Sequence, residues 1–141
     1  MTHFVFVFGT LKEGFPNFAT NKGTRVPGSF VTTECYPLYL VGERHSPWLI
    51  NRPGEGERVY GQVFQVDDEA LAAMDKLERI HEPDGYRRVR LEVQSNETPD
   101  ASALGVFAYL KPPHHFLASE ARVGPLSEYT LAHAALYRPR A

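Results

Sequence analysis

Two hydrophobic runs, far apart in the chain, set the tightest limit on its fold. His3 to Phe8 is a run of β-formers, apolar on both sides of the strand alternation, and Leu104 to Leu110 is nearly all apolar and reads as a central strand. Successive side chains of a strand point to opposite faces, so such segments must be covered above and below. Only one clear amphipathic helix pattern accompanies them, from Asp67-Asp68-Glu69 to about Ile80. One helix cannot cover both faces of a sheet of several strands. The sheet must therefore curl into a barrel or be covered by its own loops.

Other strands fill in that picture. Gly28 to Thr33, Tyr36 to Val41 and Trp48 to Ile50 are short strand candidates, and Arg58 to Val66 is a clear strand. Tyr86 to Gln94 alternates, with Arg87, Val89, Leu91 and Val93 on one side and Tyr86, Arg88, Arg90 and Glu92 on the other, as a half-buried strand does. The tally is five to seven strands and one helix. Residues 15–27 look irregular, Asn51 to Glu57 reads as a turn, and Ser95 to Ser102 as a polar loop. Pro112-Pro113 stops the last strong strand, and a weak helical or strand pattern follows Ser127. No repeat or linker interrupts the chain, so one domain over residues 1–141 is expected.

Charge and cysteine usage exclude several function classes. The net charge is -2, and the clusters Arg87, Arg88, Arg90 and Arg138, Arg140 are too small to track a phosphate backbone. No nucleic-acid partner is expected. The single Cys35 rules out a disulfide within the chain and a zinc site built from CxxC pairs; it reads as a strand residue packed like a small hydrophobe. No signal-peptide pattern and no apolar stretch of roughly 20 residues occurs. A cytoplasmic protein with no membrane partner is the expectation.

One carboxylate stands out. At about 100° per residue, Ala70, Leu71, Met74 and Leu77 form the helix's apolar stripe. Glu78 projects between Leu71 and Met74, about 20° from one and about 40° from the other. Asp75, Lys76 and Arg79 fall outside the stripe. A buried charge must be paired or neutralised. Glu78 either pairs with Arg87 or Arg88, or reaches water at the stripe edge, or is a general base whose environment raises its pKa. A second feature is Phe8-Gly9-Thr10-Leu11-Lys12, where glycine after a buried strand permits a sharp turn and leaves amide N–H groups for a carboxylate or an oxyanion. Many strands end this way, so the feature alone does not name a ligand. His114-His115 read as exposed loop residues. His81 is a helix-end or pocket histidine, and Trp48 lies in the core or a pocket wall. No phosphate loop, HExxH or GxSxG motif is present.

Larger stretches carry a family resemblance. VFVFGTLKEGFPN resembles the signature of the γ-glutamyl cyclotransferase-like superfamily, whose members open with a strand and a YGTLK-type loop. YPLYLVGERHSPWLINRPGEGERVYGQVFQVDDEALAAMDKLE, followed by GYRR, is similar to the γ-glutamylamine cyclotransferase branch. The resemblance covers residues 3 to about 92, roughly two-thirds of the chain. It implies an α+β fold, a small mixed β-barrel with flanking short helices. It implies that Glu78 matches the catalytic glutamate, and that Phe8, Gly9, Thr10 and Leu11 match the substrate-holding loop. It implies a cyclotransferase releasing 5-oxoproline from a small γ-glutamyl substrate, such as a γ-glutamylamine or a γ-glutamyl amino acid, without metal or cofactor. One position departs: the family usually has tyrosine where this chain has Phe8. That departure keeps open a non-catalytic small-molecule binding module, and a structural or interaction protein is the third reading.

Overall fold

The first strand sorts the side chains of the molecule into two cores. The computed structural model describes residues 1–98 and 102–139. In it β1 (His3–Val7) sends Phe4 and Phe6 to one face and Val5 and Val7 to the other. The first face looks into a barrel, where Phe6 and Phe8 meet Val63, Val93, Val106 and Leu110. The second packs under the helix α1 (Asp68–Leu77), with Phe64, Leu71 and Met74. The two-sided apolar pattern of this strand is thus satisfied by an interior and by a helix.

Nine strands occur among the described residues, against the five to seven read from the sequence. The additions are short: β2 (Thr24–Arg25), inside the stretch expected to be irregular, and β9 (Ala121–Val123). The others are β3 (Phe30–Tyr36), β4 (Leu38–Val41), β5 (Ser46–Leu49), β6 (Glu57–Val66), β7 (Arg87–Ser95) and β8 (Leu104–Leu110). Cys35 lies within β3, half-buried, and the break between β3 and β4 falls at Pro37, which has no N–H for a ladder. β7 begins one residue later than expected, the Tyr86 N–H bonding the Glu78 carbonyl rather than joining the ladder. The polar loop after β7 includes residues 99–101, which lie outside the described residues, as does Arg140.

β1, β8, β7, β3 and β6 run in that order, and β6 pairs with β1 to close a five-stranded mixed barrel. Only the β1–β8 pairing in it is parallel. β6 is long enough to serve several neighbours: its first half pairs with β3, its second half with β1 and with β2. The β3–β6 register shifts between Val31 and Cys35. Thr32 fills the irregularity, its hydroxyl accepting from the Val59 N–H at 2.9 Å. Such bulges bend a strand and help a small sheet close. β4, β5 and β9 form a separate antiparallel sheet. It joins the barrel where Ile50 bridges Lys111, directly after β8.

The helix stops earlier than its pattern suggests. Asp67 caps it as expected, accepting the Ala70 N–H at 2.7 Å. It ends at Leu77, with Glu78 as C-cap, and does not reach Ile80. Arg79 takes a left-handed conformation at φ 55°. Its N–H bonds to the Lys76 carbonyl at 3.1 Å, and the Ile80 N–H to the Asp75 carbonyl at 3.2 Å. That pairing is a Schellman stop, formed here on an arginine where glycine is usual. Leu77, counted in the apolar stripe, is 38% exposed.

Candidate active site

A cavity of about 860 Å³ opens where the end of α1, the loop after β1, the β4–β5 turn and the end of β8 converge. Its size suits a small-molecule site. Glu78 lines it. The sharp end of α1 turns the chain there, and the loop from Arg79 to Tyr86 folds back on it. The Tyr86 N–H donates to the Glu78 carbonyl at 3.0 Å. Gly85 packs so tightly that an added Cβ would sit 1.8 Å from the Arg79 carbonyl oxygen. The Tyr86 hydroxyl donates to the Pro47 carbonyl at 2.8 Å. Glu78 is therefore carried on a pinned turn.

The pairings considered for Glu78 go elsewhere. Arg88 binds Asp75 at 2.5 Å, and Arg87 donates to the carbonyls of Glu82, Gly85 and Tyr86. Asp75, read as lying outside the apolar stripe, is drawn inward because the Tyr109 hydroxyl of β8 donates to it at 2.6 Å. Burial pushes the Glu78 carboxyl up to about 7, with the Lys111 ammonium pulling it the other way. Tyr109 lines the same cavity, and its phenol is raised above the ordinary value, by burial first and then by Asp75.

The loop Phe8, Gly9, Thr10, Leu11 forms another wall. Three of its carbonyls are committed: Gly9 accepts from the Lys12 N–H, Thr10 from the Asn17 N–H, and Leu11 from the Asn21 side chain at 3.1 Å. The N–H groups of Gly9, Thr10 and Leu11 have no acceptor among the described residues. Gly9 is required for space, since an added Cβ would lie 2.8 Å from the ring of Pro47. Lys12 anchors the loop from behind. Its amine donates to the Tyr129 carbonyl, sits 4.3 Å from the Phe15 ring centre, and is pushed down to about 8 by burial. Phe8 is buried, faces the barrel core beside Phe6, and borders the cavity.

Sequence reading missed several contributors. Lys111, Tyr109 and Tyr86 all line the cavity. Lys111 carried a signal, as a lone cation ending an apolar strand, but spacing gives it no partner. Trp48 is a wall residue, with the Lys111 amine 4.4 Å from its ring. His115, expected in an exposed loop, is half-buried in the turn Pro113–His115 and borders the cavity, whereas His114 is exposed. His81 is exposed and is not among the lining residues. Among the described residues no group of three or more His, Cys, Asp and Glu side chains could hold a metal ion, and no helix is long and apolar enough to cross a membrane.

Comparison with known proteins gives the arrangement a family. The family described as "Gamma-glutamyl cyclotransferase, AIG2-like" matches residues 5–137. A gamma-glutamylaminecyclotransferase of Bos taurus is 43% identical over 94 residues, covering 63% of this chain and 55% of that protein. The chain thus spans about half the length of that relative. The Homo sapiens protein of the same name is 35% identical over 133 residues, covering 79% of this chain and 86% of its own. The crystal structure of an AIG2-like protein from Mus musculus superposes with a TM-score of 0.84 at 30% identity, covering 99% of this chain and 97% of that one. The chain belongs to the AIG2-like γ-glutamyl cyclotransferase family.

Proposed function

We propose that this chain converts a γ-glutamylamine, of the γ-glutamyl-ε-lysine type, to 5-oxoproline and a free amine. The observation that supports the reading is that one cavity is lined both by a carboxyl raised to about 7 and by a loop with three uncommitted N–H groups. A γ-glutamyl substrate matches both, since its α-ammonium suits Glu78 and its α-carboxylate suits the amides of Gly9, Thr10 and Leu11.

Glu78 takes a proton from the α-ammonium. The freed nitrogen attacks the side-chain carbonyl carbon, forming the C–N bond of the five-membered ring and an oxyanion. Glu78 hands its proton to the leaving nitrogen. It then accepts the second proton from the ring nitrogen as the old C–N bond breaks and the carbonyl reforms. That proton passes to the departing amine, so the products are the lactam and an ammonium, with Glu78 ionised again. A pKa near 7 suits a group that must take and return protons near neutrality. Holding the substrate folded for ring closure supplies most of the acceleration. Proton transfer through Glu78 contributes about 10²–10⁴-fold.

The test is release of 5-oxoproline from γ-glutamyl-ε-lysine, γ-glutamyl-alanine and glutathione by wild type and by Glu78→Gln. Release from the γ-glutamylamine, reduced at least ~10²-fold in the folded variant, supports the reading. Release from γ-glutamyl-alanine alone would move the substrate class to γ-glutamyl amino acids. Silence on all three would favour a binding module, the role that Phe8 in place of the family's usual tyrosine allows.

A further inference from the structure

Lys111 is a lysine where a lysine is costly. It follows β8 directly and is 5% exposed. Its backbone is fixed on both sides, the N–H donating to the Leu49 carbonyl at 2.8 Å and the carbonyl accepting from the Asn51 N–H at 2.9 Å. An ammonium withdrawn from water must be compensated. Here the rings of Trp48 and Tyr86 lie 4.4 and 4.5 Å from the amine, and the amine donates to the Asp84 carbonyl. Aromatic faces and a carbonyl together hold a cation in place.

Two of those partners, Asp84 and Tyr86, belong to the loop that leads away from Glu78. The Tyr86 N–H is bonded to the Glu78 carbonyl itself. Lys111 therefore clasps the segment that aims the carboxylate and lines the same cavity. We propose that Lys111 is a positioning residue for the proposed base, clasping the loop of Asp84 and Tyr86 and so holding the Glu78 turn in place. This rests on the reading of Glu78 as base.

Several other titratable groups share the cavity with Glu78: Tyr109 from β8, Lys76 and Arg79 from the end of α1, Asp84 and Tyr86 from the following loop, and His115. Of these surroundings it is the Lys111 cation that opposes burial at Glu78. Removing it leaves desolvation unopposed, so the carboxyl midpoint must move upward.

The experiment is a carboxyl ¹³C NMR titration of Glu78 in wild type, Lys111→Gln and Lys111→Arg, beside the pH dependence of kcat/KM. Lys111→Gln should raise the Glu78 midpoint by about one unit, equal to ~10-fold fewer ionised carboxyls below it. The ratio of kcat/KM at pH 8.5 to that at pH 6 should grow by a similar factor. Lys111→Arg, which keeps the charge, should stay near wild type. An unchanged midpoint in a folded Lys111→Gln, or an equal shift in Lys111→Arg, overturns the proposal. If Lys111→Gln does not fold, Lys111→Met, whose stem fills the same space between Trp48 and Tyr86, replaces it. If wild type releases no 5-oxoproline, the functional reading fails, while the carboxyl titration still decides the role of Lys111.

Discussion

Glu78 carries a folding cost that can be measured without any substrate. Its carboxyl ionises near 4.5 in the unfolded chain and near 7 in the folded one. Between those values the unfolded state has released its proton and the native state has not. Stability therefore falls as pH rises from about 4.5 to 7 and stays lower above that. Glu78→Gln has no charge to desolvate. At pH 8 it should be more stable than wild type by about 3 kcal/mol, and so unfold at a higher temperature, and the gap should close as pH approaches 4.5. Calorimetric scans at the two pH values check this; a variant less stable at pH 8 would contradict the burial assigned to the carboxyl. Glu78 was legible in the sequence because a carboxylate projecting between Leu71 and Met74 breaks the helix pattern. Lys111 was not. A single lysine after an apolar strand has no period to place it, and its cage of Trp48, Tyr86 and Asp84 comes from separate segments.

At the scale of elements, the end of α1 matters more than its length. The pattern correctly gave a helix start at Asp67, whose cap is local chemistry. It overran the end, because the stop depends on Arg79 adopting φ 55° and on Gly85 packing against it, neither of which is written in apolar periodicity. This turn fixes the direction of Glu78. Gly85→Ala would force a methyl against the Arg79 carbonyl, a backbone atom with no freedom to yield. It should cost about 2–3 kcal/mol of stability and lower kcat at least ~10-fold. Thermal unfolding and turnover measured together check it, and wild-type kcat in Gly85→Ala would show that the turn does not aim the proposed base. The loop after β1 was legible for the opposite reason. Glycine directly after a two-sided strand marked it, although Gly9 turned out to be needed for its clearance from Pro47.

Across the whole molecule, the cavity depends on segments from both ends of the chain. Tyr137 and Pro139 line it. The Arg138 N–H donates to the Arg44 carbonyl and the Arg44 side chain to the Arg138 carbonyl, each at 2.9 Å, while Asn17 and Arg44 both donate to the Tyr137 hydroxyl. These contacts lie outside the barrel. Removing residues 137–141 should leave cooperative unfolding within about 2 kcal/mol of wild type and raise KM several-fold, because one wall of the cavity is lost. Unchanged KM would mean that this wall does not meet substrate. A curled sheet was legible from the two-sided strands. Its order was not, since nothing in the pattern of β1 says that its neighbours are β6 and β8.

That order has a consequence for how the chain folds. β1 is seated between residues 62–66 on one side and Phe107 on the other, so every ladder partner of the first strand lies far downstream. Contacts so distant along the chain close slowly. During folding, this strand gains its β6 partner only from the middle of the chain and its β8 partner from later still. A strand as apolar as His3–Val7, held open that long, is the sort of segment that sticks to its neighbours or calls on a chaperone. The loop Gly9–Leu11 hangs from its end, so this wall of the cavity is fixed in place only once β1 is seated between β6 and β8.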